Sequence, residues 1–159
     1  MKKKFNPLVV FIQEHSSLLL LLKKLNAAAQ SIEREGVKTK SVKTINDVIK
    51  VLEEEISHHN VMEEEALFPV LEQYVEGPTE LLVDEHKLMK KKFLILKKTL
   101  AQTQLPNASK LISQKLVINI RETVQVFVNH IHKENYILFP LLKRFLSKEE
   151  LDKVASKMR

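Results

Sequence analysis

Two halves of this chain repeat each other at a single offset. Glu14-His15 recurs as Glu85-His86, His59 and Glu63 recur as His130 and Glu134, and Leu67-Phe68-Pro69 recurs as Leu138-Phe139-Pro140, each 71 residues later. Within each half the two histidines stand 44 residues apart. Chance can produce one such match but not all of them at a common spacing, so the chain is one structural unit written twice. Apolar residues at helical period identify the unit as a pair of helices. The first stripe reads Leu8, Phe11, Ile12, His15, Leu18, Leu19, Leu22. The second reads Ile45, Val48, Ile49, Leu52, Ile56, His59, Glu63, Ala66, Leu67, Val70. Leu82, His86, Met89, Phe93, Leu96 and Leu100 form the third. The fourth runs Ile112, Leu116, Ile120, Thr123, Phe127, His130, Glu134, Ile137, Leu141.

Punctuation sets the expected limits. The first helix starts at Asn6-Pro7, a capping residue before a proline, and ends at Gly36. The second opens near Ser41 and ends at Gly77-Pro78, the third runs from Thr79 to Leu105-Pro106, and the fourth from near Asn107 to about Leu146. Ser147 with Glu150 forms a capping box for a short final helix. Four long amphipathic helices on short connections predict an all-α, up-down-up-down four-helix bundle, with residues 1–159 as a single domain. Only 2 Gly and 5 Pro are present, too few for the turns of a β-sandwich or barrel. Pro69 and Pro140 fall inside helices, where the missing N–H should bend the chain just beyond each Glu.

Helix arithmetic brings the polar members of the stripes together. From His15 to Arg34 is 19 residues and from Ser41 back to His59 is 18. At about 1.5 Å per residue both legs span about 28 Å, so the two imidazoles return to one level. The second hairpin repeats this, and Glu63 and Glu134 each lie one turn beyond a His. Four His and two Glu thus meet in one core layer, with no Lys or Arg in the stripes to neutralise the carboxylates. A buried, unpaired carboxylate costs several kcal/mol, comparable to the stability of a small domain. A bound cation removes that cost. With 0 Cys there is no thiolate, and an imidazole–carboxylate set suits iron or manganese, with zinc as a further possibility. Two octahedral ions offer twelve positions; four His, two bridging carboxylates and an oxo or hydroxo bridge leave about one open position on each, room for a small ligand.

Taken together, these motifs resemble the hemerythrin-like, or HHE cation-binding, domain family over essentially the whole chain. The resemblance implies that His15, His59, His86 and His130 ligate two iron ions and that Glu63 and Glu134 bridge them. Oxygen-carrying hemerythrins use a fifth His one turn after the third-helix His, where this chain has Lys90. That departure brings it closer to the four-His, two-Glu members, which resemble repair-of-iron-centres proteins and other di-iron sensors or redox proteins. The implied ligands are O2, NO or peroxide, and the implied roles are sensing, oxidative or nitrosative stress defence, iron handling, or iron donation to damaged iron–sulfur clusters.

The remaining features lead elsewhere. His58 and His132 have no partners at the repeat offset and read as exposed. Glu64 is a candidate to orient His59. Tyr74 and Tyr136 read as packing at the bundle end. A ferritin-like di-iron oxidase wants Glu-x-x-His from two helices. Glu55-x-x-His58 supplies one copy, and the second is missing because Asn129 stands before His132. The net charge of +6 is mostly lysine, at Lys2–Lys4 and at Lys87, Lys90–Lys92 and Lys97–Lys98. Without interleaved aromatic or arginine residues it reads as solvated helix surface, with neither nucleic acid nor membrane as partner. A metal-free interaction module is the remaining alternative. The apolar stretch after Lys2–Lys4 is cut short by Gln13-Glu14-His15 and is not a signal peptide, and the longest apolar run, Leu18–Leu22, is far short of a membrane span. A cytoplasmic protein is expected.

Overall fold

The computed structural model describes residues 5–159, so Lys2–Lys4 lie outside the described residues. The chain forms α1 (Pro7–Glu35), α2 (Thr39–Met62), α3 (Phe68–Leu71), α4 (Pro78–Thr103), α5 (Lys110–Lys133), α6 (Phe139–Phe145) and α7 (Lys148–Lys157). A π-helical turn at Glu63–Leu67 joins α2 to α3, and another at Glu134–Leu138 joins α5 to α6. The bundle is therefore four long rods, α1, α2 through α3, α4, and α5 through α6, followed by short α7. Around its axis the order is α2, α1, α5, α4, with the α2/α4 seam the least closely packed of the four.

Local chemistry explains the boundaries. Asn6 accepts the Leu8 N–H at 3.0 Å, and α1 closes where Gly36 takes φ 77° and its N–H reaches Ile32 O at 2.8 Å. Five expected boundaries shift, the second rod ending at Leu71 rather than at Gly77-Pro78. α2 begins at Thr39, before Ser41, because the Ser41 hydroxyl accepts the Lys38 N–H at 3.0 Å and donates to the Lys38 carbonyl at 2.8 Å from inside the first turn. Pro78 is the first residue of α4, where a proline needs no N–H, so the third helix starts one residue earlier than Thr79. α4 stops at Thr103 and α5 starts at Lys110, after Ser109, whose hydroxyl accepts the Ile112 N–H at 3.4 Å. The Ser147–Glu150 capping box forms as expected.

The π turns correct the two stripes that carry Glu. Each closes with an i to i−5 bond, Phe68 N–H to Glu63 O and Phe139 N–H to Glu134 O. The extra residue rotates the following face by about 100°. Val70 and Leu141, expected in the core, are therefore only half-buried, while Leu71 and Leu142 take the interior places; within the second turn Ile137 is 56% exposed and Leu138 is buried. Ile12, also placed in a stripe, lies at the exposed margin of α1. Pro69 and Pro140 sit in the first turn of α3 and α6, where the helix restarts, rather than in an uninterrupted helix.

The interior divides into two apolar clusters. One lies toward the α1–α2 and α4–α5 connections and includes Leu22, Leu25, Ile45, Leu52, Phe93, Leu96 and Phe127. The other, with Phe11, Leu67, Phe68, Leu71, Leu138, Phe139 and Leu142, is closed off by Val154 of α7. His15 lies between Phe11 of the second cluster and Leu18 of the first, and His86 between Leu82 and Met89 in the same way. A polar layer thus separates the two cores.

Candidate metal centre

All six expected residues occupy this layer, and His15, His59, Glu63, His86, His130 and Glu134 are each at most 3% exposed. They form two overlapping groups. His15, His59, Glu63 and Glu134 present atoms within 4.8 Å of one another, and so do Glu63, His86, His130 and Glu134. The Nε2 atoms of His15 and His59 face each other at 3.0 Å, and those of His86 and His130 at 3.1 Å. Each carboxylate spans both pairs. Glu134 places Oε2 2.8 Å from His15 Nε2 and Oε1 2.7 Å from His130 Nε2. Glu63 places Oε1 3.1 Å from His59 Nε2 and Oε2 3.4 Å from His86 Nε2.

The outward ring nitrogens fix which atom faces inward. His59 Nδ1–H donates to Glu14 at 2.6 Å and His130 Nδ1–H to Glu85 at 2.8 Å. His86 Nδ1–H donates to Glu64 at 2.6 Å and His15 Nδ1–H to the Asn135 side-chain oxygen at 2.7 Å. A neutral imidazole that donates from Nδ1 carries only a lone pair on Nε2. With all four rings neutral, four lone pairs and two carboxylates would point at one another with no proton between them. Accordingly, the four carboxylate oxygens of Glu63 and Glu134 have no hydrogen-bond donor among the described residues. Only positive charge satisfies that layer, either as protons or as metal, and the donor set of imidazole nitrogens and shared carboxylates fits two cations.

Without metal, protons take the role. Burial alone would lower the His86 pKa, but Glu134, Glu63 and Glu64 outweigh it and push it up to about 10. Burial would lower His59 and His130 as well, but Glu63, Glu134 and Glu14 raise His59 and Glu134 and Glu85 raise His130. Glu134 is held well below the carboxylate range, because His130, His15, His59 and His86 outweigh the burial that would raise it. Aromatic rings wall the layer: Phe139 stacks on His15 at 5.3 Å, Phe68 on His86 at 6.0 Å, and Phe11 meets His59 edge-on at 5.1 Å.

Several other residues land away from their expected places. Glu64 orients His86 across the α4 interface, not His59 on its own rod. Glu14 does that work for His59 and Glu85 for His130; both were visible in the repeated Glu-His pairs. Asn135 carried no signal beyond its place beside Glu134. His58 and His132 are exposed, as is Glu55, so the Glu55-x-x-His58 motif does not enter the layer. Tyr136 is 75% exposed, and Tyr74 donates to Glu150 of α7 at 2.5 Å. Exposed Lys90 lines a pocket of about 250 Å³ on the α2/α4 seam, together with Met89, Phe93 and the buried Asn60. In the basic stretch, Lys92 pairs with Glu122 at 2.9 Å and Lys97 with Glu53 at 2.7 Å. No helix among the described residues is long and apolar enough to cross a membrane.

The hemerythrin HHE cation-binding domain model matches residues 6–158 of this chain. The chain belongs to that family. It is also similar to the iron-sulfur cluster repair protein YtfE of Escherichia coli K12 (strain DH10B) and of Shigella boydii serotype 18, 26% identical over 136 residues in each case. The match covers 82% of this chain and 62% of each relative, so this hemerythrin-like chain spans less than two thirds of their length.

Proposed function

We propose that residues 1–159 work as one cytoplasmic non-haem di-iron domain that binds or reacts with O2, NO or peroxide, in stress defence or iron handling. His15 and His59 would hold one iron and His86 and His130 the other, with Glu63 and Glu134 shared between the two. The observation that carries this reading is the double span of the carboxylates, each with one oxygen on each histidine pair and none with a donor. Bound iron supplies the electrons and open coordination positions that such ligands require. The protein's own residues hold the Nε2 atoms inward through Nδ1 hydrogen bonds and enclose the layer in aromatic rings. The relatives' name, iron-sulfur cluster repair protein, favours the repair of iron–sulfur clusters as the physiological setting.

The test is anaerobic loading with Fe(II), metal analysis, and an ultraviolet–visible spectrum before and after exposure to O2, to NO and to peroxide. Two irons per chain and spectral change with either gas support the proposal. One iron or none, or two irons inert to both gases and to peroxide, contradict it.

A further inference from the structure

The two halves do not hold their imidazoles alike. Under the 71-residue repeat, Glu14 on His59 corresponds to Glu85 on His130, and Asn135 on His15 corresponds to Glu64 on His86. The first correspondence is carboxylate for carboxylate. The second is amide for carboxylate. His86 and His130 therefore both donate to carboxylates, at 2.6 and 2.8 Å, whereas His59 donates to a carboxylate at 2.6 Å and His15 to an amide oxygen at 2.7 Å. The distances scarcely differ, so the asymmetry is one of charge. A carboxylate drawing on Nδ1–H makes the opposite nitrogen a stronger donor toward a cation, and an amide oxygen, with only partial charge, does so less.

We propose that the two metal positions are inequivalent: the His86/His130 position binds a divalent cation more tightly than the His15/His59 position, and Asn135 sets the difference. The inference rests on the di-metal reading above. Asn135 is a positioning residue that acts through His15. Weakening a partner of this kind typically changes metal affinity by about 10–100-fold, and the two positions should differ by about that factor. One feature opposes the gap. Lys133 pairs with Glu85, and the repeat position in the first half holds Met62. Lys133 takes Oε1 and leaves Oε2 on His130, and Glu64 has no lysine partner among the described residues, so the gap narrows without closing.

The experiment titrates the metal-free chain with Co(II) against a chromophoric chelator and collects anomalous diffraction at the cobalt edge from crystals holding one equivalent. Two affinities about 10–100-fold apart are expected, with the single-equivalent peak between His86 and His130. Asn135→Asp should close the gap by strengthening the weaker position. Glu64→Gln should close it by weakening the stronger one, which keeps the test decisive if either variant folds poorly. Combining both should move the first peak to His15 and His59, and Lys133→Met should widen the gap. Equal affinities in the parent, a first peak at His15 and His59, or a gap untouched by both single variants would overturn the inference while leaving two bound ions intact. Fewer than two Co(II) per chain would instead overturn the di-metal reading beneath it.

Discussion

Protons and metal compete for the same nitrogens, so metal affinity should depend on pH well above the range of free imidazole. Free imidazole places the loss of ligation near pH 6. In the folded chain, burial would lower the His86 pKa but the carboxylates around it raise it to about 10, so an ion taking Nε2 must displace a proton at any lower pH. Each pH unit below that value costs about 1.4 kcal/mol, a factor of ten. From pH 6.5 to 8.5 the apparent affinity should therefore rise about a hundredfold from His86 alone. His59 and His130, where the carboxylates also outweigh burial, steepen the rise. His86 has a folded pKa of about 10, above the unfolded value of about 6.5, so its contribution to the stability of the metal-free protein is full below about 6.5 and is lost as pH climbs through about 10. The metal-loaded protein has given up that proton and lacks this loss. The gain in Tm on adding metal, at fixed free metal, should thus widen by about 1.4 kcal/mol per pH unit, or about 3–5 °C for a chain of this size. Anaerobic calorimetric titration with Mn(II) in two buffers of different ionisation enthalpy counts the protons released, and parallel melts read the Tm gap. Affinity that stays flat across this range, with no proton released, refutes the reasoning.

The π turns make a second prediction. Leu71→Ala and Leu138→Ala should each cost about 2–5 kcal/mol in denaturant unfolding, and Ile137→Ala about 0.5 or less; the reverse ranking would mean that ordinary α register continues past Glu134. Glu63→Gln and Glu134→Gln should each reduce bound iron from two per chain to at most one, whereas Glu65→Gln, on an exposed side chain, should leave it at two. Metal analysis also checks His58→Ala and His132→Ala, which should not alter iron content because neither ring reaches the layer.

Much of this was legible in the sequence because helices translate spacing into position. The 71-residue offset and the equal legs from His15 and His59 to the turn bring all six residues into one layer. The shift from Val70 to Leu71 and from Ile137 to Leu138 was not legible. Leu67-Phe68-Pro69-Val70-Leu71 is apolar throughout, so an inserted residue leaves no gap in the pattern. The partner of Glu64 was misread because a residue beside a turn can reach a neighbouring rod as easily as its own, and sequence spacing reports only the latter. Ser41 shows the same limit at smaller scale: a hydroxyl bonding back to Lys38 works from inside the helix as well as from its cap.

The most direct measurement of the central claim is anomalous diffraction at the iron edge from crystals of the Fe(II)-loaded chain. The account predicts two peaks in the layer between the apolar clusters, one against His15 and His59, the other against His86 and His130, with Glu63 and Glu134 touching both. A single peak, or any peak that takes His58 as a ligand, would contradict it.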